Sequence, residues 1–119
     1  MKIEKEAKLI RIFIGDSDKL SSVNLYERIV VEARKQGLAG ATVFKGIMGF
    51  GNNSIIHSAK LLTISSDLPM VIEIVDEIEK IEKFIPTLND LFEEANCGGL
   101  ITLEKADIIT YAPSKAKKQ

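Results

Sequence analysis

Three glycines lie within six residues at positions 46–51, and the only histidine of the chain, His57, follows shortly after them. Glycine lets a ligand approach the backbone closely and adopts positive φ at little cost. The N–H groups of such a loop form a concavity that suits phosphate. Position 54 is serine where a dinucleotide-binding fingerprint needs its last glycine, and no Gly-Lys-Ser/Thr follows, so the segment matches neither that motif nor a Walker loop. The loop is therefore interpreted either as a ligand cradle or as a tight turn or β-bulge without a ligand.

Three further features carry two interpretations each. The pair Gly98-Gly99 follows a predicted helix and is explained equally well by helix termination and by contact with phosphate. His57 is either a hydrogen-bonded loop or strand residue or a donor to a ligand. Arg11 and Lys60 are expected to be solvated strand charges, with contact to phosphate as the alternative.

Groups that could do covalent or metal chemistry are scarce. Cys97 and His57 are the only thiol and imidazole of the chain, too few for a metal cluster. A nucleophilic Cys–His pair would need the two side chains to meet in space, whereas Cys97 is predicted to lie at a helix end. We therefore expect no catalytic residue, no metal ligand and no metal or redox cofactor, and we do not expect an enzyme.

Length and composition indicate one globular domain over residues 1–119, with a frayed basic tail at 113–119. The net charge of −1 gives no field that would attract nucleic acid. A single cysteine excludes an internal disulfide and fits a reducing compartment. Apolar runs such as 9–14 and 69–75 are too short to span a bilayer, and the first eight residues lack the apolar core of a signal peptide. We expect a cytoplasmic protein without direct membrane insertion.

The first half of the chain alternates predicted strands with one helix. A strand over 8–15 is followed by a polar loop at 16–22. From residue 25 the apolar spacing becomes helical, and Leu25, Ile29 and Ala33 fall on one face. Gly37 suits the position just after this helix. The remaining extended segments of this half are predicted at 41–47 and 55–64.

The second half of the chain has the same strand–helix–strand order. A strand over 69–75 leads to a helix for which Asp76 offers an N-cap, with Glu79 three residues on. Pro86 lies inside the helical pattern, so a kink or short break is expected near Phe84. Two short closing strands are predicted at 100–103 and 107–111.

This order of elements is β-α-β-β-α-β with additional short strands. It predicts an α+β fold of the ferredoxin-like, or split βαβ, type, in which an antiparallel sheet carries two helices on one face. Apolar strand residues at Ile14, Val43, Ile72 and Ile74 suggest that the other face is also covered. Association of copies through the sheet would cover it and protect the strand edges.

Several segments together resemble the PII-like signalling proteins, and within them a small bacterial and archaeal subfamily of unassigned function. The glycine-rich stretches carry most of the likeness, which extends from about residue 8 to 111. The matching segments are 37–43, 45–51, 56–62, 67–69, 71–76 and 98–104.

The resemblance implies a homotrimer that binds an adenine nucleotide (ADP, AMP or ATP) in clefts between subunits. It also implies that a mobile loop signals to a protein target, for instance a membrane transporter or an enzyme. The residues that it places at the nucleotide are Gly46, Gly49, Phe50, Gly51, Asn52, His57, Gly98, Gly99 and Leu100.

The chain departs from true PII proteins in two respects. It lacks the long exposed loop with a modifiable tyrosine, and Asn52 or Asn53 stands where PII proteins have a glutamine. Nitrogen sensing through 2-oxoglutarate is therefore not transferred. The alternatives are a metal-ion-binding protein of the cation-tolerance type and a small enzyme of unknown reaction.

Overall fold

The structure is a computed structural model that describes residues 5–51, 55–59, 67–112 and 114. Two helices and eight strands lie in this part of the chain. In chain order they are β1 (Lys5–Gly15), β2 (Lys19–Leu20), β3 (Val23–Asn24), α1 (Leu25–Lys35), β4 (Thr42–Lys45), β5 (Met48–Gly49), β6 (His57–Ser58), β7 (Pro69–Glu77), α2 (Ile78–Ala95) and β8 (Leu100–Ile108).

The main sheet has four strands in the order β4-β7-β1-β8, and all three pairings are antiparallel. The long elements β1, α1, β4, β7, α2 and β8 give the β-α-β-β-α-β order, so the predicted ferredoxin-like fold is confirmed. Two-residue strands form the separate hairpins β2–β3 and β5–β6. The C-terminal ends of β1 and β4 and the N-terminal ends of β7 and β8 meet at one end of the sheet.

The core lies between the helices and one face of this sheet. Alternate residues of β1 and β7 point to that face because side chains alternate along a strand, and they are buried. The predicted helical face of α1 is confirmed, since Leu25, Ile29 and Ala33 are all buried. Helix α2 contributes Ile81, Phe84, Leu88 and Leu91.

The second helix differs from prediction at its start and at its proline. The helix begins at Ile78 with Glu77 as N-cap, so the N-cap predicted at Asp76 is wrong. Asp76 is buried, and its carboxylate accepts hydrogen bonds from the N–H groups of Glu77 and Ala39. No break occurs at Pro86, where α2 continues. Pro86 is exposed, and buried Phe84 and Leu88 anchor the helix on either side of it.

Other boundaries also shift. The two predicted closing strands are one strand, β8, because the segment pairs with β1 along nearly its whole length. The strand predicted over 55–64 appears as β6 at His57–Ser58, and residues 60–64 lie outside the described part. The loop predicted at 16–22 contains β2 and ends next to β3. Of the tail predicted at 113–119, only residue 114 is described.

The face of the sheet opposite the helices, called here the open face, carries a row of apolar side chains across all four strands. The paired positions Phe44, Val71, Phe13 and Leu100 form this row. Phe44 is 50% exposed and Leu100 is 56% exposed. Sequence reasoning did not assign Ile14, Val43, Ile72 and Ile74 to either face, and all four lie on the helix side of the sheet.

Candidate functional site

The glycine loop leaves the sheet at the end of β4. The N–H of Gly46 donates to the carbonyl oxygen of Pro69 at 2.7 Å, which ties the loop to the first residue of β7. The chain then forms the hairpin β5–β6, in which Gly49 pairs with His57. The N–H of Ala59 donates to the carbonyl of Ile47 at 2.8 Å and closes the base of the hairpin. Asn52, a predicted site residue, lies outside the described residues.

The glycines of the loop serve different purposes. A Cβ on Gly46 would lie 2.6 Å from Cγ of Pro69, so packing alone requires this glycine. A Cβ on Gly49 would lie 3.1 Å from the same atom, a contact that needs a small adjustment. A Cβ on Gly51 would meet no atom of the described residues within 4 Å. Among the described glycines only Gly37 has positive φ, so the suggested need for positive φ in the loop is wrong.

The two glycines of the pair Gly98-Gly99 also differ in whether packing requires them. Asn96 adopts the left-handed conformation and ends α2, so neither glycine of the pair is needed to terminate the helix. A Cβ on Gly99 would lie 2.5 Å from the ring of Phe92, whereas one on Gly98 would meet nothing within 4 Å. Leu100 is exposed and begins β8.

The two glycine segments lie at the same end of the sheet but at opposite edges. One follows β4 and the other precedes β8, with β7 and β1 between them. Three interstrand spacings separate the edges by about 14 Å. In one copy of the chain the two glycine segments therefore leave the sheet at separate edges.

His57 is held by the loop that leads into β7. Its Nδ1 accepts a hydrogen bond from the N–H of Asp67 at 3.3 Å. With Nδ1 engaged in this way, Nε2 is the ring nitrogen left to contact a ligand. An Asp67 carboxylate oxygen accepts from the N–H of Ser17 at 2.9 Å, so one residue joins His57 to the loop after β1.

A site residue that sequence reasoning missed is Gly15, at the end of β1. A Cβ there would lie 2.4 Å from a carboxylate oxygen of Asp67, so the acid packs directly on the glycine. The N–H of Gly15 donates to Asp18 at 2.9 Å. Burial raises the pKa of the Asp18 carboxyl, and nearby Asp67 and Asp16 add to the rise.

The acids at this end of the sheet leave little positive charge for a phosphate. Asp16 pairs with Lys45 at 3.2 Å, which engages a cation that lies next to the glycine loop. Binding of a phosphate by a single copy would therefore rely mainly on backbone N–H groups.

The hairpin presents a cluster of exposed apolar side chains, called here the hairpin cluster. Phe50 is 69% exposed, and the other members are between 57% and 78% exposed. They are Ile47, Met48, Ile55 and Ile56. Isolated exposed apolar residues are common on protein surfaces, whereas a contiguous group indicates an interaction surface.

Arg11 is not a freely solvated charge. On the open face its Nε donates to Glu73 at 2.8 Å, and one of its terminal nitrogens donates to Glu104 at 2.7 Å. The hydrogen bond to Glu73 is the main cause that raises the pKa of the guanidinium above its usual value. Lys60 lies outside the described residues.

A cavity of about 890 Å³ lies at the other end of the sheet, where no site was predicted. Its walls come from the loop after α1, from the last residues of β7 and from the segment after β8. The lining includes Ala39, Thr42, Glu73, Val75, Asp107 and Tyr111. Buried Asp76, also at its wall, was the available sequence signal, but it was interpreted as a helix cap.

The described residues hold no group of three side chains that could bind a metal ion. Cys97 is half-buried, and desolvation raises the pKa of its thiol, which disfavours the reactive thiolate. In the described part of the chain, neither helix is long and apolar enough to cross a membrane.

Comparison with known proteins gives a family match over most of the chain. Residues 7–108 match the family DUF190, described as "Uncharacterized ACR, COG1993". A UPF0166 protein of Aquifex aeolicus (strain VF5) is 38% identical over 109 residues, covering 92% of this chain and 98% of the relative. A UPF0166 protein of Methanocaldococcus jannaschii is 32% identical over 98 residues, covering 82% of this chain and 87% of the relative.

Solved structures confirm the PII-like resemblance at the level of fold. CPII, a nitrogen regulatory PII-like protein from Thiomonas intermedia K12 bound to ADP, AMP and bicarbonate, superposes with a TM-score of 0.66 at 15% identity. The match covers 87% of this chain and 89% of that chain. The apo form of CPII superposes with a TM-score of 0.59 at 15% identity, covering 87% and 92%.

Proposed function

The chain belongs to the DUF190 family, and we propose that it is a PII-like regulatory protein that assembles as a homotrimer and binds an adenine nucleotide between subunits. The nucleotide would be ADP, AMP or ATP, and the bound state would be signalled to a protein target by the glycine-rich hairpin. A cytoplasmic location is part of the proposal.

The observation that carries the proposal is the position of Gly51 and Gly98, two glycines that packing among the described residues does not explain; Gly40, at the other end of the sheet, is a third. Gly51 and Gly98 have open space where a Cβ would stand, and they lie at opposite edges of the same sheet end. Glycine at an open position is useful when something outside the chain approaches the backbone closely. A neighbouring copy that turned its β8 edge toward this β4 edge would bring the two segments together. The ligand cleft would then lie between subunits.

The open face supplies a surface for such assembly. The row Phe44–Val71–Phe13–Leu100 exposes apolar area on every strand, and a single copy leaves it in contact with water. Burial of this row between copies is favourable by roughly 25 cal/mol per Å² of apolar surface. The ion pairs of Arg11 cross the middle of the same face and satisfy its charge within each chain.

The hairpin β5–β6 would signal the state of the bound nucleotide to the protein target. Contacts between phosphate and the N–H groups near Gly49 and Gly51 would favour one arrangement of the loop. The hairpin cluster lies on the same short hairpin, so a change of loop arrangement would change the apolar surface offered to a target. Phe50 belongs both to the predicted site residues and to the hairpin cluster.

Adenine nucleotides are the first ligands to test because CPII, which shares the fold, was solved with ADP and AMP. Only the fold is shared at 15% identity, so the choice of nucleotide is part of the proposal. A metal-ion-binding function has less support, since no cluster of metal ligands occurs among the described residues. We also propose that the protein is not an enzyme.

A thermal-shift screen with AMP, ADP, ATP and cyclic dinucleotides tests the proposal. A ligand that binds only the folded state stabilises it by about 2.7 kcal/mol at a concentration of one hundred times Kd. For a domain of this size that corresponds to a rise in Tm of about 10 °C. GTP serves as a control for general effects of a charged nucleotide. No shift with any adenine nucleotide at millimolar concentration would contradict the proposal.

A further inference from the structure

The cavity at the end of the sheet remote from the glycine loop has one wall that is weakly attached. This wall is the segment of residues 109–112, called here the strap, which follows β8 and turns toward the loop between α1 and β4. Among the described residues, one hydrogen bond joins the strap to the rest of the chain. It runs from the hydroxyl of Tyr111 to the carbonyl oxygen of Ala39 at 3.1 Å. Tyr111 itself is 60% exposed.

The acceptor of this bond is fixed from its other side. The N–H of Ala39 donates to Asp76 at 2.9 Å, and Asp76 also accepts from the N–H of Glu77 at 2.7 Å. Asp76 is only 5% exposed, so a buried carboxylate holds the loop to the junction of β7 and α2. The loop side of the contact is therefore rigid, whereas the strap side depends on one exposed hydroxyl.

We propose that the strap opens and closes one side of the cavity, with the Tyr111–Ala39 hydrogen bond as its latch. The strap has no ladder hydrogen bonds within the described part, because β8 ends at Ile108. When the latch breaks, residues 109–112 swing away from Ala39, and the wall that they form is lost. The inference rests on the contacts of the strap alone and holds whether or not the proposed nucleotide function is correct.

The magnitude follows from the type of bond. A neutral hydrogen bond in an exposed position shifts an equilibrium by about fivefold. Tyr111→Phe removes the hydroxyl and keeps the ring, so it should raise the open population by about that factor. Tyr26 is the other tyrosine of the chain and packs against the core, which makes Tyr26→Phe a matched control.

Hydrogen–deuterium exchange tests the latch. The peptides that cover residues 36–43 and 106–112 should exchange faster in Tyr111→Phe than in the wild-type protein. In Tyr26→Phe the same peptides should exchange at the wild-type rate.

Equal exchange in wild-type protein and Tyr111→Phe would overturn the proposal. Faster exchange throughout both Tyr111→Phe and Tyr26→Phe would also overturn it, because the hydroxyl at 111 would then have no special role.

Discussion

A charge placed on the open face should separate the subunits without unfolding them. Val71 is the best position because it lies between Phe13 and Phe44 in the apolar row, on a central pair of strands. Val71→Glu adds a carboxylate that water can solvate in a single copy. In the assembled state the same carboxylate would be buried without a partner. A charge at Ile72 or Ile74 would instead lie in the core, since both residues face the helices and are fully or almost fully buried.

The expected effect on assembly is large. An uncompensated buried charge costs about 3 kcal/mol, or about a hundredfold in an equilibrium constant. A trimer contains three equivalent sites, so the assembly constant falls by about a millionfold. The concentration of half-assembly varies with the square root of that constant for a trimer. The concentration of half-assembly should therefore rise by about a thousandfold.

Sedimentation velocity across 0.1 to 100 µM, or about three decades, measures this shift. Wild-type protein should sediment as three chains of 13.1 kDa each, and Val71→Glu should sediment as one. Val31→Glu is the matched control, because Val31 is an exposed valine on α1. It should leave assembly unchanged. Persistence of the trimer in Val71→Glu, or its loss in Val31→Glu, would refute the assignment of the open face as the interface.

Three other predictions concern the sheet end that carries the loop. Asp18→Asn should raise Tm at pH 7, because folding raises the pKa of the Asp18 carboxyl and the folded state therefore disfavours its charged form. The gain in Tm should shrink as the pH falls through the range in which Asp18 takes up its proton. A gain in Tm that grows toward low pH would contradict this prediction. His57→Ala should weaken nucleotide binding by about fivefold if Nε2 donates to the ligand, and calorimetry with an unchanged Kd would limit His57 to its contact with Asp67. Purified protein should not hydrolyse ATP at rates near about 1 per second, a typical enzyme turnover, and a faster phosphate release abolished by Gly51→Val would contradict the regulatory assignment.

The fold followed from periodicity because the core-facing residues repeat regularly. Leu25, Ile29 and Ala33 mark one face of α1, and this face is buried as predicted. The sequence did not assign the apolar strand residues to one of the two sheet faces, because both β1 and β7 carry apolar residues on both faces. Pattern alone does not tell Ile72 from Val71 when the helices that cover one face are distant in sequence.

The surroundings of the predicted site residues could not be derived from the sequence, for a related reason. The sequence shows where glycines occur but not which atoms surround them. Gly46 and Gly99 are explained by contacts with Pro69 and Phe92, while Gly51 is left without a packing role. Those contacts join residues far apart in the chain, so no local pattern reveals them. The cavity was missed for the same reason, because its walls come from three separate segments.

Isothermal titration of ADP, ATP and AMP into wild-type protein and Gly51→Val tests the central claim most directly. A side chain at position 51 meets no atom of the described residues, so the variant should keep its fold and assembly, which circular dichroism and sedimentation would verify. The account predicts saturable binding of at least one adenine nucleotide, with one site per chain, and loss of that binding in Gly51→Val. Absence of binding by the wild-type protein, or an unchanged Kd in a folded Gly51→Val trimer, would contradict it.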